Sequence, residues 1–150
     1  MKYQTLVREV CRNYKANKKE LGQGGALPSY PCSGGSFAES HPKNGQKMGK
    51  KGSPVENALL SAVDERRKRL LNEVAAVEWG FSILEAISKN KSESEKTRHA
   101  AKAALAAAKD LYFLGASPCK AAYNANCSVE TLYRYLRPFH RLVGGKMGLL

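Results

Sequence analysis

Apolar positions along this chain recur at steps of three and four, and no stretch alternates as a strand would, so the pattern predicts an all-α protein. Residues 3–19 place Tyr3, Leu6, Val7, Val10, Cys11 and Tyr14 on one helical stripe. A second stripe runs Val55, Leu59, Val63, Leu70, Val74, Val77, Phe81, Leu84 and Ile87, interrupted at Arg66–Arg69, with Trp79 flanking the seam. It predicts a long amphipathic helix through about Ser88. Its start reads as a capping box, with Ser53 at the N-cap, Pro54 at the first helical position and Glu56 at the third. Asn90 to Glu95 then predicts a turn and a second capping box starting at Ser92. The alanine-rich residues 93–114 carry Ala104, Leu105, Ala108, Leu111 and Tyr112 on one face and stop at Gly115, a residue suited to a helix C-cap. Residues 54–89 and 93–114 are therefore expected to form an antiparallel helical hairpin.

Residues 22–52 break the pattern. They hold eight of the thirteen glycines and three of the six prolines, and such a segment buries too little apolar surface to offset its ordering entropy. The expected organisation is an N-terminal amphipathic helix at 1–21, a flexible Gly/Pro/Lys-rich linker at 22–52, and the hairpin plus a C-terminal motif at 53–150. The linker ends in a basic run, Lys43 to Lys51, either nonspecific affinity for DNA or simply solvated sequence. Lys15, Lys18 and Lys19 admit a similar pair of readings: a phosphate-touching arm, or cations matched to a helix C-terminus.

The C-terminal motif, residues 117–138, reads as a helix-turn-helix. Ala122 is small where the helices cross, and Asn126 stands at the turn position that favours positive φ. Ala121, Ala125, Cys127, Leu132 and Tyr135 are expected to face inward, with Cys119 and Cys127 acting as small apolar residues. Ser128 is expected to cap the second helix by accepting from the backbone near Thr131. That leaves Val129, Glu130, Tyr133, Arg134 and Arg137 on the outer face. Arg134 suits a bidentate contact to guanine, Glu130 the N4 amine of cytosine, and Val129 a thymine methyl. Ser128, Tyr133 and Arg137 suit phosphate, and Ser117 and Lys120 offer an anion site and a cation at the start of the first helix. The alternative is a packing hairpin whose Arg134 and Arg137 are merely solvated.

Charge changes the weight of that motif. The chain carries a formal +12. Residues 1–52 have ten Lys/Arg against three Asp/Glu, 53–91 have six of each, and 92–150 have nine against four. The middle thus looks like scaffold and the ends like polyanion-facing parts. Four scattered cysteines without a Cys-x-x-Cys pair argue against structural zinc, Cys32 with His41 is a weak metal pair, and reduced thiols in the cytoplasm are expected. No leader and no membrane-length apolar run is visible. Neither a nucleophile–base pair, a phosphate-cradling loop nor an acidic metal cluster is present, so no enzyme activity, cofactor, metal or small-molecule substrate is expected.

Two stretches resemble the small phage-encoded transcriptional regulators of the RinA/ArpU type, whose C-terminal half is similar to region four of sigma factors. One is Ser53–Ala58 leading into a long charged helix. The other is Leu111–Gly115, just before the motif at Ala121–Leu136. The resemblance covers residues 53–138 and implies Ser128–Arg137 as a recognition helix and a role in phage late-gene or packaging-gene transcription. Asn126-Cys127 departs from the usual Gly-Val of such turns. The motif and the charge make double-stranded DNA the expected partner, and the helical hairpin is expected to dimerise with a second copy of the chain or to contact RNA polymerase. An adaptor that binds protein through the hairpin, whose signature would be an apolar outer stripe on residues 54–89 to be sought at Trp79 and Phe81, or a polymerase-associated antiterminator, is the alternative.

Overall fold

A computed structural model describes residues 2–22 and 53–150. The expected linker, with Cys32, His41 and the Lys43–Lys51 run, lies outside the described residues apart from Gly22, which closes the first helix. Among the described residues the protein is all-helical, without a strand. The helices are α1 (Lys2–Gly22), α2 (Pro54–Lys89), α3 (Glu95–Ala108), α4 (Pro118–Asn124), α5 (Val129–Tyr135) and α6 (Arg137–Lys146), and α3 runs on into a π-helical turn at Lys109–Phe113.

Local chemistry sets most of the boundaries. Ser53 is the N-cap of α2, but its side chain makes no capping bond, contrary to the expected capping box; its carbonyl accepts from Asn57 N–H at 3.1 Å. The second box is corrected in position. Asn90 Oδ1 accepts from Ser92 N–H at 3.0 Å and holds the turn, and Ser94 Oγ caps α3 by accepting from Thr97 N–H at 3.2 Å. An Asx-type turn that uses Ser92 as its donor leaves the cap to the next serine. The π turn ends as expected at Gly115, whose φ is +71°.

The core collects one face from nearly every element. Val7 and Cys11 of α1, Val77 of α2, Leu132 and Leu136 around α5, and Phe139 and Val143 of α6 are fully buried. Burial pushes the Cys11 thiol up to about 12. α3 contributes small side chains, Ala101, Ala104, Ala107 and Ala108, which let it lie close against α2. An aromatic chain links the layers: Tyr14 to Phe113 at 4.7 Å, Phe113 to Phe81 at 4.3 Å, and Phe81 edge-on to Phe139 at 5.7 Å. Phe81 therefore faces inward and is not on an outer stripe. Trp79 is half-buried beneath the Lys146 ammonium, 5.7 Å from its ring.

α1 runs antiparallel along α2. Tyr14 and Lys18 both donate to Glu78, at 2.9 and 2.7 Å; Asn17 donates to Glu73 at 2.9 Å; Arg66 pairs with Glu20 at 3.1 Å. Glu73 is buried yet satisfied, because Arg69 also donates to it at 3.0 Å. Lys18 thus serves the α1–α2 seam, and the Glu78 carboxyl is held below its ordinary range chiefly by the Lys18 hydrogen bond. The apolar stripe of α2 is only half used. From Val74 onward it packs inward, whereas Val55, Leu59 and Val63 remain 68, 62 and 46% exposed.

α2 and α6 meet at Gly80. A Cβ there would sit 3.1 Å from Val143 Cγ2 and 3.3 Å from Phe139 Cε2. Gly80→Val is expected to destabilise the fold by about 1–3 kcal/mol through overpacking, read as a lower denaturation midpoint. A neutral result would show that the two helices separate without cost.

Candidate functional site

The two seven-residue helices α4 and α5 are joined by a turn that closes in a defined way. Asn126 N–H donates to the Tyr123 carbonyl at 3.1 Å, and Cys127 N–H to the Ala122 carbonyl at 3.0 Å. This is the Schellman pattern, with Asn126 at the left-handed position, φ +50°. Asn tolerates that conformation better than other non-glycine residues, and it is the one described non-glycine residue with positive φ. Ser117 Oγ caps α4 by accepting from Lys120 N–H at 3.3 Å, and Ser128 Oγ caps α5 by accepting from Thr131 N–H at 3.2 Å.

The expected inner residues divide. Ala121, Ala122 and Leu132 are buried and Cys127 packs against the core, but Ala125, Cys119 and Tyr135 are exposed. Leu136, at 0% exposure, takes the inward position expected of Tyr135. The expected outer residues divide as well. Glu130 and Arg134 stand exposed one turn apart, with Arg134 Nη2 3.7 Å from Glu130 Oε1. Val129 and Tyr133 pack partly against the core. The Tyr133 ring lies under the Arg8 guanidinium of α1, 4.9 Å from its centroid.

The expected helix 128–137 is corrected at its C-terminal end. α5 stops at Tyr135, and Arg137 opens α6, with Pro138 in the first turn. Pro138, the last residue of the expected motif, does not end the helical chain, because proline at the first turn of a helix costs no hydrogen bond and marks a start. Sequence reasoning consequently missed α6, its buried Phe139 and His140, and the exposed Arg141. Arg8 was missed too, since nothing local links it to Tyr133. Ser117, Lys120, Ser128, Glu130, Arg134 and Arg137 are exposed and lie on or beside α4, α5 and the start of α6.

No protein-family model, curated protein or solved structure matches the chain.

Beside α5 lies an open cavity of about 310 Å³, lined by His99, Ala100 and Ala103 of α3 and by Arg134, Tyr135 and Pro138. A larger one, about 800 Å³, opens between α1, α2 and α6 near Leu6, Lys68, Asn72 and Lys146. Among the described residues no cluster of three or more His, Cys, Asp or Glu is placed to hold a metal ion. No described helix is long and apolar enough to cross a membrane. Behind α5 the Tyr112 hydroxyl lies 2.8 Å from His140 Nε2, both buried. Burial, with a smaller contribution from Arg8, drives the His140 imidazole down to about 4, so it is a neutral structural group at pH 7.

Proposed function

We propose that the chain is a sequence-specific double-stranded-DNA-binding transcriptional regulator of the phage RinA/ArpU kind, reading the major groove with α5 as the second helix of a helix-turn-helix. The observation that carries this reading is the exposed Glu130–Arg134 pair on a helix whose start is set by the Asn126 turn and the Ser128 cap. An exposed ion pair of this kind contributes little stability, so Arg134 leaves Glu130 for a guanine edge at small cost. Lys120 and Arg137 flank the pair as exposed cations for phosphate, and Glu130 is the one acidic residue in 117–150. Ser117, Ser128 and Tyr133 stay phosphate-side candidates, with the two serine oxygens occupied by their own helix caps; Val129 offers only the edge of a half-buried side chain.

Fluorescence anisotropy on duplexes selected from a random pool tests the proposal. Arg134→Ala is expected to cost about 1–3 kcal/mol on the selected sequence and much less on unrelated duplexes. Lys120→Ala is expected to weaken every duplex alike and to lower the salt slope by about one. Binding indifferent to sequence and to salt would sink the reading. The second reading, a helical adaptor or a polymerase-associated antiterminator without its own sequence-specific contact, draws on the exposed apolar positions of α2. It predicts no shift of any duplex in a gel.

A further inference from the structure

We infer that the N-terminal part of α2 is a dimerisation element, and that its occupant is the same part of a second copy of this chain, packed antiparallel. α1 follows α2 antiparallel and covers it only as far as the Glu20–Arg66 pair, ending at Gly22. Beyond that point α2 continues for about three turns to Pro54, roughly 18 Å at 1.5 Å per residue, with every residue exposed. Val55, Leu59 and Val63 follow at steps of four and continue the stripe that Val74, Val77 and Leu84 bury in the core. Leu60, 58% exposed, widens it. The face that builds the core therefore runs on past the end of its cover. Its apolar residues are contiguous, unlike the scattered exposed leucines of any surface.

Charge selects the occupant and its direction. Glu56, Leu60 and Arg67 share one flank of the stripe at steps of four and seven. In the basic run, Arg66 is paired to Glu20 and Arg69 to Glu73, whereas Arg67 and Glu56 make no ion pair or side-chain hydrogen bond within the described residues. Two parallel copies would stack Arg66–Arg69 against the same four cations. Two antiparallel copies, crossing near Ala62, set Glu56 beside Arg67 of the partner subunit, and two-fold symmetry repeats the contact. The same register lays Leu60 against Val63 of the partner subunit. One helix segment thus carries both halves of its own complement.

Sedimentation equilibrium of the full chain without DNA tests this, independently of the DNA-binding proposal. The wild type is expected to dimerise reversibly. Leu59→Glu is expected to give a monomer with unchanged thermal unfolding at low protein concentration, since the residue is exposed in the single chain. Glu56→Arg and Arg67→Glu are each expected to weaken dimerisation about ten-fold, and the double reversal to restore it. A wild type that stays monomeric at all concentrations overturns the inference. So does a dimer indifferent to Leu59→Glu, or a monomer that Leu59→Glu destabilises, which would mean that the chain's own residues 23–52 cover the stripe.

Discussion

Phe139→Ala is expected to lower the unfolding free energy by about 3–5 kcal/mol, a large part of what a domain of this size possesses. The side chain is fully buried. It stands where α6 meets α2 and the π turn: Phe81 of α2 lies edge-on at 5.7 Å, Tyr112 of the π turn is stacked at 6.0 Å, and Gly80 of α2 is close enough that a Cβ there would touch its ring. Truncation removes the transfer free energy of a phenyl group and leaves a void. Val143 and Leu136 are fully buried themselves and have little room to collapse into it. Urea denaturation followed by circular dichroism reads the loss as a lower midpoint at unchanged m. A change under about 1 kcal/mol, the size typical of ordinary surface sites, would mean that α6 is not part of the core.

Acidification is expected to weaken the fold through His140, with an onset above the carboxylate range. The imidazole is driven from its ordinary 6.5 down to about 4, first by burial and then by Arg8. Below 6.5 the unfolded chain takes up a proton that the folded chain refuses. Stability is therefore full above about pH 6.5, falls between 6.5 and about 4, and loses nothing further from this residue below that. Integrated over the window, the loss amounts to about 3 kcal/mol. His140→Gln keeps a polar partner for the Tyr112 hydroxyl, 2.8 Å from Nε2 in the native protein, and removes the titration. The measurement is the difference in unfolding free energy between wild type and variant at pH 7.0, 5.5 and 4.5, which cancels the carboxylates common to both. A difference that does not change with pH would show that the imidazole is solvated in the folded state.

Several features were legible because their causes are local. The positive φ of Asn126 and the Ser128 cap depend on residues within a few positions, and both stand as the sequence implied. The stop at Gly115 is of the same kind. The alanine face of α3 was visible because small residues repeat at helical spacing. Errors arose where one local signal serves two structures. Pro138 is as good a start for α6 as a stop for α5, and the choice depends on Phe139 finding Phe81 and Tyr112, far away in sequence. Ser92 and Ser94 compete for one cap, and the side chain of Asn90 decides between them. In the candidate site, Glu130 and Arg134 were placed correctly on the exposed face. Tyr133 was not, because Arg8 on α1 draws its ring inward.

The sequence by itself determined that the described chain is helical, where its best caps and turns fall, and which residues of α5 stand one turn apart, since these follow from spacing and short-range hydrogen bonding. Only the tertiary structure decided which part of each apolar stripe is used. Val55, Leu59 and Val63 repeat as regularly as Val74, Val77 and Leu84, yet α1 ends before it reaches them. Periodicity says that a helix has a face to bury; whether another element is long enough to cover it depends on where that element stops.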